Sequence, residues 1–330
     1  LASTSPAQAT FTQARTEFLK ITVSTPTGDS APDAQYYLGK TYDQENNYTQ
    51  AVREFQKVLT NYPASASAAY AQNGIGEVYY SSGTYAQAIL EFKKVLTNYP
   101  TSGVIDMAQY NLGKCYYWLK NYPQAIVEFN NYKTNFSSGI FVDNAQIYLG
   151  KCYYQMAGLT PPQAAYPQAI TELQKCFTFY PESNNLDEAQ LYLGKSYYQM
   201  GTSTPAYFSQ AITEFGKVLS NYPKSLNCPD AQYYLGKCYY QRAGLTPAQS
   251  TYDQARTEFQ KVITNYPVSD SLDWAQYYLG KCYYYLLNYS QAMTELQKVL
   301  DNYPTTAYGD ETLYYQVRAY CDWKNKTAAA

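Results

Sequence analysis

The phrase AQYYLGKCYY fills Ala231–Tyr240 and returns unchanged at Ala275–Tyr284. Related phrases begin at Ala34, Ala71, Ala108, Ala145 and Ala189, and a degenerate copy begins at Thr312. Successive starts lie 37, 37, 37, 44, 42, 44 and 37 residues apart. A second phrase follows each first one, as in YTQAVREFQKVLTNYP (Tyr48–Pro63) and YAQAILEFKKVLTNYP (Tyr85–Pro100). A period of this length marks an array of like supersecondary units.

Each phrase reads as one helix. In the first, Ala34, Leu38 and Tyr42, and again Ala108, Leu112 and Tyr116, recur at i, i+4, i+8, a single helical stripe. In the second, Ala51, Phe55 and Val58 recur at i, i+4, i+7. The Asn-Tyr-Pro that follows stops the helix, because proline has no N–H to donate and pushes its predecessor out of the α region. Neither helix can bury its stripe alone. Stacked pairs bury one another, so the expected fold is an all-α solenoid.

These residues resemble the tetratricopeptide repeat. The family's Leu-Gly, Tyr, Ala, Phe and Pro positions match Leu38, Gly39, Tyr42, Ala51, Phe55 and Pro63 in the first full copy. In the third they match Leu112, Gly113, Tyr116, Ala125 and Phe129, with Phe136-Ser137 in place of Tyr-Pro. Where the family often has tryptophan early in the first helix, this chain has Gln35, and glutamine again in every full copy. The resemblance implies a right-handed α-α superhelix. It also implies protein binding rather than catalysis, since a fold of this kind does not itself specify chemistry. The 37-residue period looks like that of arrays in bacterial cell-envelope proteins.

The expected organisation is a single solenoid over 1–330. It comprises a half repeat at 1–33, seven full repeats at 34–311 and a half repeat at 312–330. The half repeats are complementary. SPAQATFTQARTEF (Ser5–Phe18) matches TPAQSTYDQARTEF (Thr246–Phe259), a second helix, and the closing segment matches a first helix. Repeat arrays ordinarily end in a polar capping helix. Here the last helix offers Leu313, Tyr314, Val317, Tyr320 and Trp323, and the opening helix offers Phe11, Ala14, Phe18 and Ile21. Two greasy, complementary ends predict a homopolymer. The last helix of one copy would pair head to tail with the first helix of the next and complete a repeat, giving a filament or tube.

Composition agrees with an associating protein. Only 15% of residues are charged, and tyrosine occurs 42 times; surfaces poor in charge are prone to association. The net charge of −2 supplies no basic track for nucleic acid. No apolar run reaches the ~20 residues of a membrane span. The chain opens at Leu1 without a methionine, which is expected if a signal peptide has been removed and the protein is extracellular or bound to the cell surface or envelope.

The resemblance places the first helices on a concave groove. Two family groove positions fall on Tyr36, Tyr110, Tyr233 and Tyr277 and on Lys40, Lys114, Lys151, Lys195, Lys237 and Lys281. Such ladders suit an extended peptide or a glycan. They equally suit helix–helix packing with the hydroxyls at a wet edge.

No histidine is present, which removes the commonest general base and metal ligand. No phosphate loop, nucleophile elbow or metal motif occurs, so no enzyme activity and no cofactor is expected. Glu54, Glu91, Glu128, Glu172, Glu214, Glu258 and Glu295 share one second-helix position, which reads as a helix face. Cys115, Cys152, Cys238 and Cys282 share a slot held by Ser196 and Thr41 in other copies, so free thiols are expected. Cys228, in a turn before Pro229, is expected to be the exposed one. Sequons at Asn47, Asn135, Asn288 and Asn325 are candidate glycosylation sites. Three inserts, at Ala157–Tyr166, Gly201–Phe208 and Ala243–Tyr252, are expected to fall on one edge.

Overall fold

The computed structural model describes residues 6–158, 165–245 and 249–328. Among these, sixteen helices and no strand are present. The chain divides into two compact units, 1–152 and 153–330.

In the first unit, α1 (Pro6–Ser24) precedes three helix pairs: α2 (Ala31–Gln44) with α3 (Tyr48–Asn61), α4 (Ala66–Ser81) with α5 (Tyr85–Asn98), and α6 (Ile105–Trp118) with α7 (Tyr122–Asn135). The helix α8 (Val142–Ala157) runs across the division. The second unit continues with α9 (Ala165–Phe179), α10 (Leu186–Gly201), α11 (Tyr207–Asn221) and α12 (Cys228–Leu245). It ends with α13 (Gln249–Asn265), α14 (Leu272–Tyr285), α15 (Tyr289–Asn302) and α16 (Gly309–Ala328). From α1 to α7, and again from α9 to α16, each helix packs on its neighbour in sequence, and first helices touch the next first helix, as α2 does α4 and α10 does α12. This is the all-α solenoid expected from the repeat.

Two local devices set the pair geometry. Between first and second helix, one residue takes a left-handed conformation: Asn46 at φ 59°, Gly83 at 75°, Lys120 at 60° and Leu287 at 60°. Where the next residue is asparagine, it caps the second helix. The side chains of Asn47, Asn121 and Asn288 accept from the N–H of Gln50, Gln124 and Gln291, each at 3.3 Å, satisfying a donor the helix start leaves open. A left-handed residue with a Cβ costs about 1–2 kcal/mol. Leu287→Gly is therefore expected to stabilise the second unit by about 1 kcal/mol, read as a raised denaturant midpoint at constant slope.

At the core of most helix pairs is a glycine-to-aromatic contact. A Cβ on Gly39 would lie 2.7 Å from Phe55, one on Gly113 2.7 Å from Phe129, and one on Gly236 2.8 Å from Phe259. These phenylalanines are fully buried. In the last complete pair, Leu296 meets Gly280 in the same way, at 2.7 Å.

Beside that contact runs a polar link. Gln35 donates to Glu54 at 2.6 Å, Gln109 to Glu128 at 2.7 Å and Gln276 to Glu295 at 2.7 Å. Gln190 and Gln232 donate likewise to Glu214 and Glu258. A lysine one turn on closes most of these carboxylates, as Lys57 does at 2.7 Å and Lys298 at 2.9 Å. The glutamates are thus not a solvated helix face. Glu54, Glu128, Glu214 and Glu295 are buried, and a buried carboxylate needs such partners. Successive repeats of the second unit are tied by aspartates at the first-helix start: Asp187 accepts from Asn227 at 3.1 Å, Asp230 from Ser271 at 3.2 Å and Asp273 from Thr306 at 2.8 Å.

Candidate interaction surfaces

In the first unit Lys114 and Lys151 lie over tyrosine rings. Lys114 sits 4.4 Å from the Tyr80 centroid and 5.4 Å from Tyr110, and Lys151 sits 4.4 Å from Tyr148. In the second unit Lys195 is 5.0 Å from Tyr234 and Lys237 is 5.1 Å from Tyr198. Lys281 is 4.5 Å from Tyr315 and 5.0 Å from Tyr277. These are cation–π distances. Tyr36 is half-buried, whereas Tyr110, Tyr233 and Tyr277 are buried and fill packing between successive first helices.

The lysines differ in their charge partners. Lys40 pairs with Asp43 and Glu77, each at 3.4 Å, and Lys195 with Asp230 at 2.8 Å. Burial works against the Lys40 cation, but Glu77 and Asp43 outweigh it and its pKa rises. Lys114, Lys237 and Lys281 form no ion pair among the described residues, and burial lowers all three. Burial disfavours the charged form unless a counter-charge is near.

The two outer helices differ. On α1, Phe11, Ala14, Phe18 and Ile21 are half-buried. Phe18 stacks on Tyr37 at 5.8 Å; Phe11, Ala14 and Phe18 line a cavity of about 440 Å³ against α2. Leu19 and Val23 are the large apolar side chains that α1 exposes. On α16, Thr312 and Ala319 face the core. Leu313, Tyr314, Val317, Tyr320 and Trp323 are 38–62% exposed. Tyr314 aligns with the fully buried Tyr277, so its exposure reflects an open face rather than its place in the repeat.

Alignment of α16 with α14 exposes a second difference. Val317 stands where α14 has Gly280, and Leu313 where it has Gln276. At Gly39, Gly76, Gly113, Gly194, Gly236 and Gly280 the contact requires a glycine, since a Cβ there meets the second helix's Phe or Leu below 3 Å. A second helix docked on α16 in the internal geometry would press its aromatic onto Val317. It would also bury its glutamate opposite Leu313 with no amide to pair it, at a cost of about 1–3 kcal/mol. The repeat-completing junction expected from the sequence therefore cannot reproduce the internal contact.

All seven cysteines are free, and six are buried. The expectation for Cys228 is corrected: it opens α12 in a buried position with its sulfur 3.2 Å from the Tyr222 carbonyl. The exposed thiol is Cys321 on α16. Asn47, Asn135, Asn288 and Asn325 are all exposed. Within the insert at Gly201–Phe208, Thr202–Ala206 form an exposed turn between α10 and α11, while Gly201 and Phe208 are buried in the helix ends. The expected insert positions 159–164 and 246–248 lie outside the described residues. Among the described residues no cluster could hold a metal ion, and no helix is long and apolar enough to cross a membrane.

Similarity to known proteins agrees with this geometry. Two tetratricopeptide repeat models match, one over residues 7–66 and 36–103, the other over 107–138, 188–225, 230–269 and 274–306. None of the curated proteins compared with the chain matches it. Among solved structures, a tetratricopeptide repeat protein from Parabacteroides merdae is 14% identical with TM-score 0.58, covering 88% of this chain and 100% of its own. The C-terminal part of a repeat protein from Cytophaga hutchinsonii is 18% identical with TM-score 0.60, covering 84% and 99%. The type IV pilus biogenesis factor PilW is 16% identical with TM-score 0.56, covering 74% and 98%. At these identities the likeness speaks for the fold alone. With repeat models matching most of the chain, and with helix pairs locked by glycine against an aromatic or leucine, the chain belongs to the tetratricopeptide repeat family.

Proposed function

We propose that this chain is a non-enzymatic scaffold of the cell exterior or envelope that associates with further copies of itself through the open face of α16. The larger assembly would be a filament or tube. The family supports the scaffold role, and protein partners are what such folds serve. The observation that carries self-association is the row of large apolar side chains exposed on α16. Their combined open area is on the order of 500 Å², at the upper end of what monomers leave uncovered. Because Val317 and Leu313 obstruct repeat completion, the contact takes another geometry. Growth beyond a pair then needs a second contact, for which exposed Leu19 and Val23 on α1 are candidates. The envelope location rests on the resemblance of the 37-residue period to envelope arrays. In that setting the exposed Asn47 and Asn288 would accept glycans.

A second reading has its own observation. Lys114, Lys237 and Lys281 are half-buried cations that form no ion pair among the described residues, and an acidic peptide or glycan lying along either unit's first helices would supply paired carboxylates.

Sedimentation velocity over a concentration series, with Val317→Asp beside the wild type, tests the leading reading. Self-association is expected in the wild type, weakened about tenfold or more by the buried charge. A wild type that remains monomeric throughout would sink it.

A further inference from the structure

The pattern on α16 is symmetric about Val317. Leu313 lies four residues before it and Cys321 four after; Tyr314 lies three before and Tyr320 three after. Seven before is Asp310, and seven after is Lys324. Offsets of three, four and seven share one helix face, and all seven of these residues are exposed. Acidic residues occupy the first turn and Lys326 the last.

We propose that the α16 face docks the same face of a second copy, antiparallel, about a two-fold axis through Val317. This rests on the self-association reading and names its geometry. The antiparallel arrangement sets Asp310 against the partner's Lys324, and Lys324 against the partner's Asp310. Tyr314 packs on the partner's Tyr320, Leu313 on the partner's Cys321, and the two Val317 side chains meet at the axis. A parallel arrangement would instead place the acidic turns together and the lysines together, and like charges in register repel. An isologous contact needs only a self-complementary patch, which this one is. Among the described residues Asp310 has no side-chain partner, and the Lys324 ammonium lies over Tyr320 and Trp323, at 5.7 and 5.3 Å. A second helix of another copy is disfavoured as the occupant, because Val317 fills the space that its Phe or Leu would need. The patch is smaller than the ~800 Å² per partner of a stable complex, so the pair is expected to be concentration-dependent.

The test uses the whole chain. Val317→Cys, in a Cys321→Ser background, is expected to give a disulfide-linked two-chain product under oxidised glutathione, because the axis brings the residue to its own copy. Both sites are exposed, and circular dichroism checks that the fold is kept. In parallel, Lys324→Glu is expected to weaken association about tenfold. Adding Asp310→Lys to the same chain is expected to restore it. If the wild type associates but Val317→Cys does not cross-link and the double exchange does not restore binding, the antiparallel pair is overturned while self-association stands. If the wild type is a monomer at every concentration, both fail.

Discussion

Phe259→Ala is expected to destabilise the second unit by about 3–5 kcal/mol, the range for emptying a buried phenylalanine site. Phe259 is fully buried on α13 and packs with Tyr233, Val262, Ala275 and Leu279. Its ring is also the surface against which Gly236 lies, so removing it opens a cavity between α12 and α13 that backbone cannot fill. The same contact fixes the sign of a smaller change. Gly236→Ala would put a Cβ 2.8 Å from the ring. Overpacking of about 1–3 kcal/mol then outweighs the ~1 kcal/mol that alanine gains over glycine in a helix. Gly216 on α11 has nothing within 4 Å of its Cβ position. There only the propensity operates, and Gly216→Ala is expected to stabilise by about 1 kcal/mol. Chemical denaturation of the three variants checks all three signs. A neutral Gly236→Ala would mean that the glycine register is not what locks the pairs.

Alkaline unfolding is the other large effect. Burial raises the phenols of Tyr198, Tyr233, Tyr234 and Tyr240 well above their ordinary value of 10.0. Tyr277 is raised by burial and by the Glu311 carboxylate that accepts from its hydroxyl, and Tyr278 reaches about 12 through burial. A folded-state pKa above the unfolded one means that the folded chain keeps protons that the unfolded chain releases. The stabilisation is complete below pH 10 and is lost as pH rises through the folded values. Each such phenol contributes about 1.4 kcal/mol per pH unit above 10, so several together exhaust a stability of ~5–15 kcal/mol within one or two units. Lys114, Lys237 and Lys281 act in the opposite sense, since their lowered pKa values favour the fold as pH rises towards 10.5. They are fewer, so the tyrosines prevail. Tyrosinate absorbance and loss of helical dichroism are therefore expected to rise together between pH 10 and about 12. A simple titration at pH 10 with the helices intact would contradict the buried-ladder description.

The helices were legible in the sequence because their signals are local. Asn-Tyr-Pro marks the end of α3 and α5, and the Ala-Leu-Tyr stripe marks first helices such as α2 and α6. The glutamates read as a helix face because their partners are not local: Gln109 and Glu128 are nineteen residues apart and meet only when the pair closes. The tyrosines at 110, 233 and 277 read as groove residues because the repeat gives their position. Their burial depends on the next first helix, whose Tyr148, Tyr278 and Tyr315 lie against them. Cys228 looked exposed beside Pro229, yet the turn folds its sulfur back onto the Tyr222 carbonyl. On α16 the apolar residues were evident. What they imply emerged only once the internal glycine contact showed that Val317 departs from it.

Hydrogen exchange of α16 at two concentrations, about a hundredfold apart, tests most directly whether this face is covered by another copy. Peptides spanning Leu313–Trp323 are expected to exchange more slowly in the concentrated sample, while peptides of α12 and α14 stay unchanged. Identical exchange of α16 at both concentrations would contradict the account.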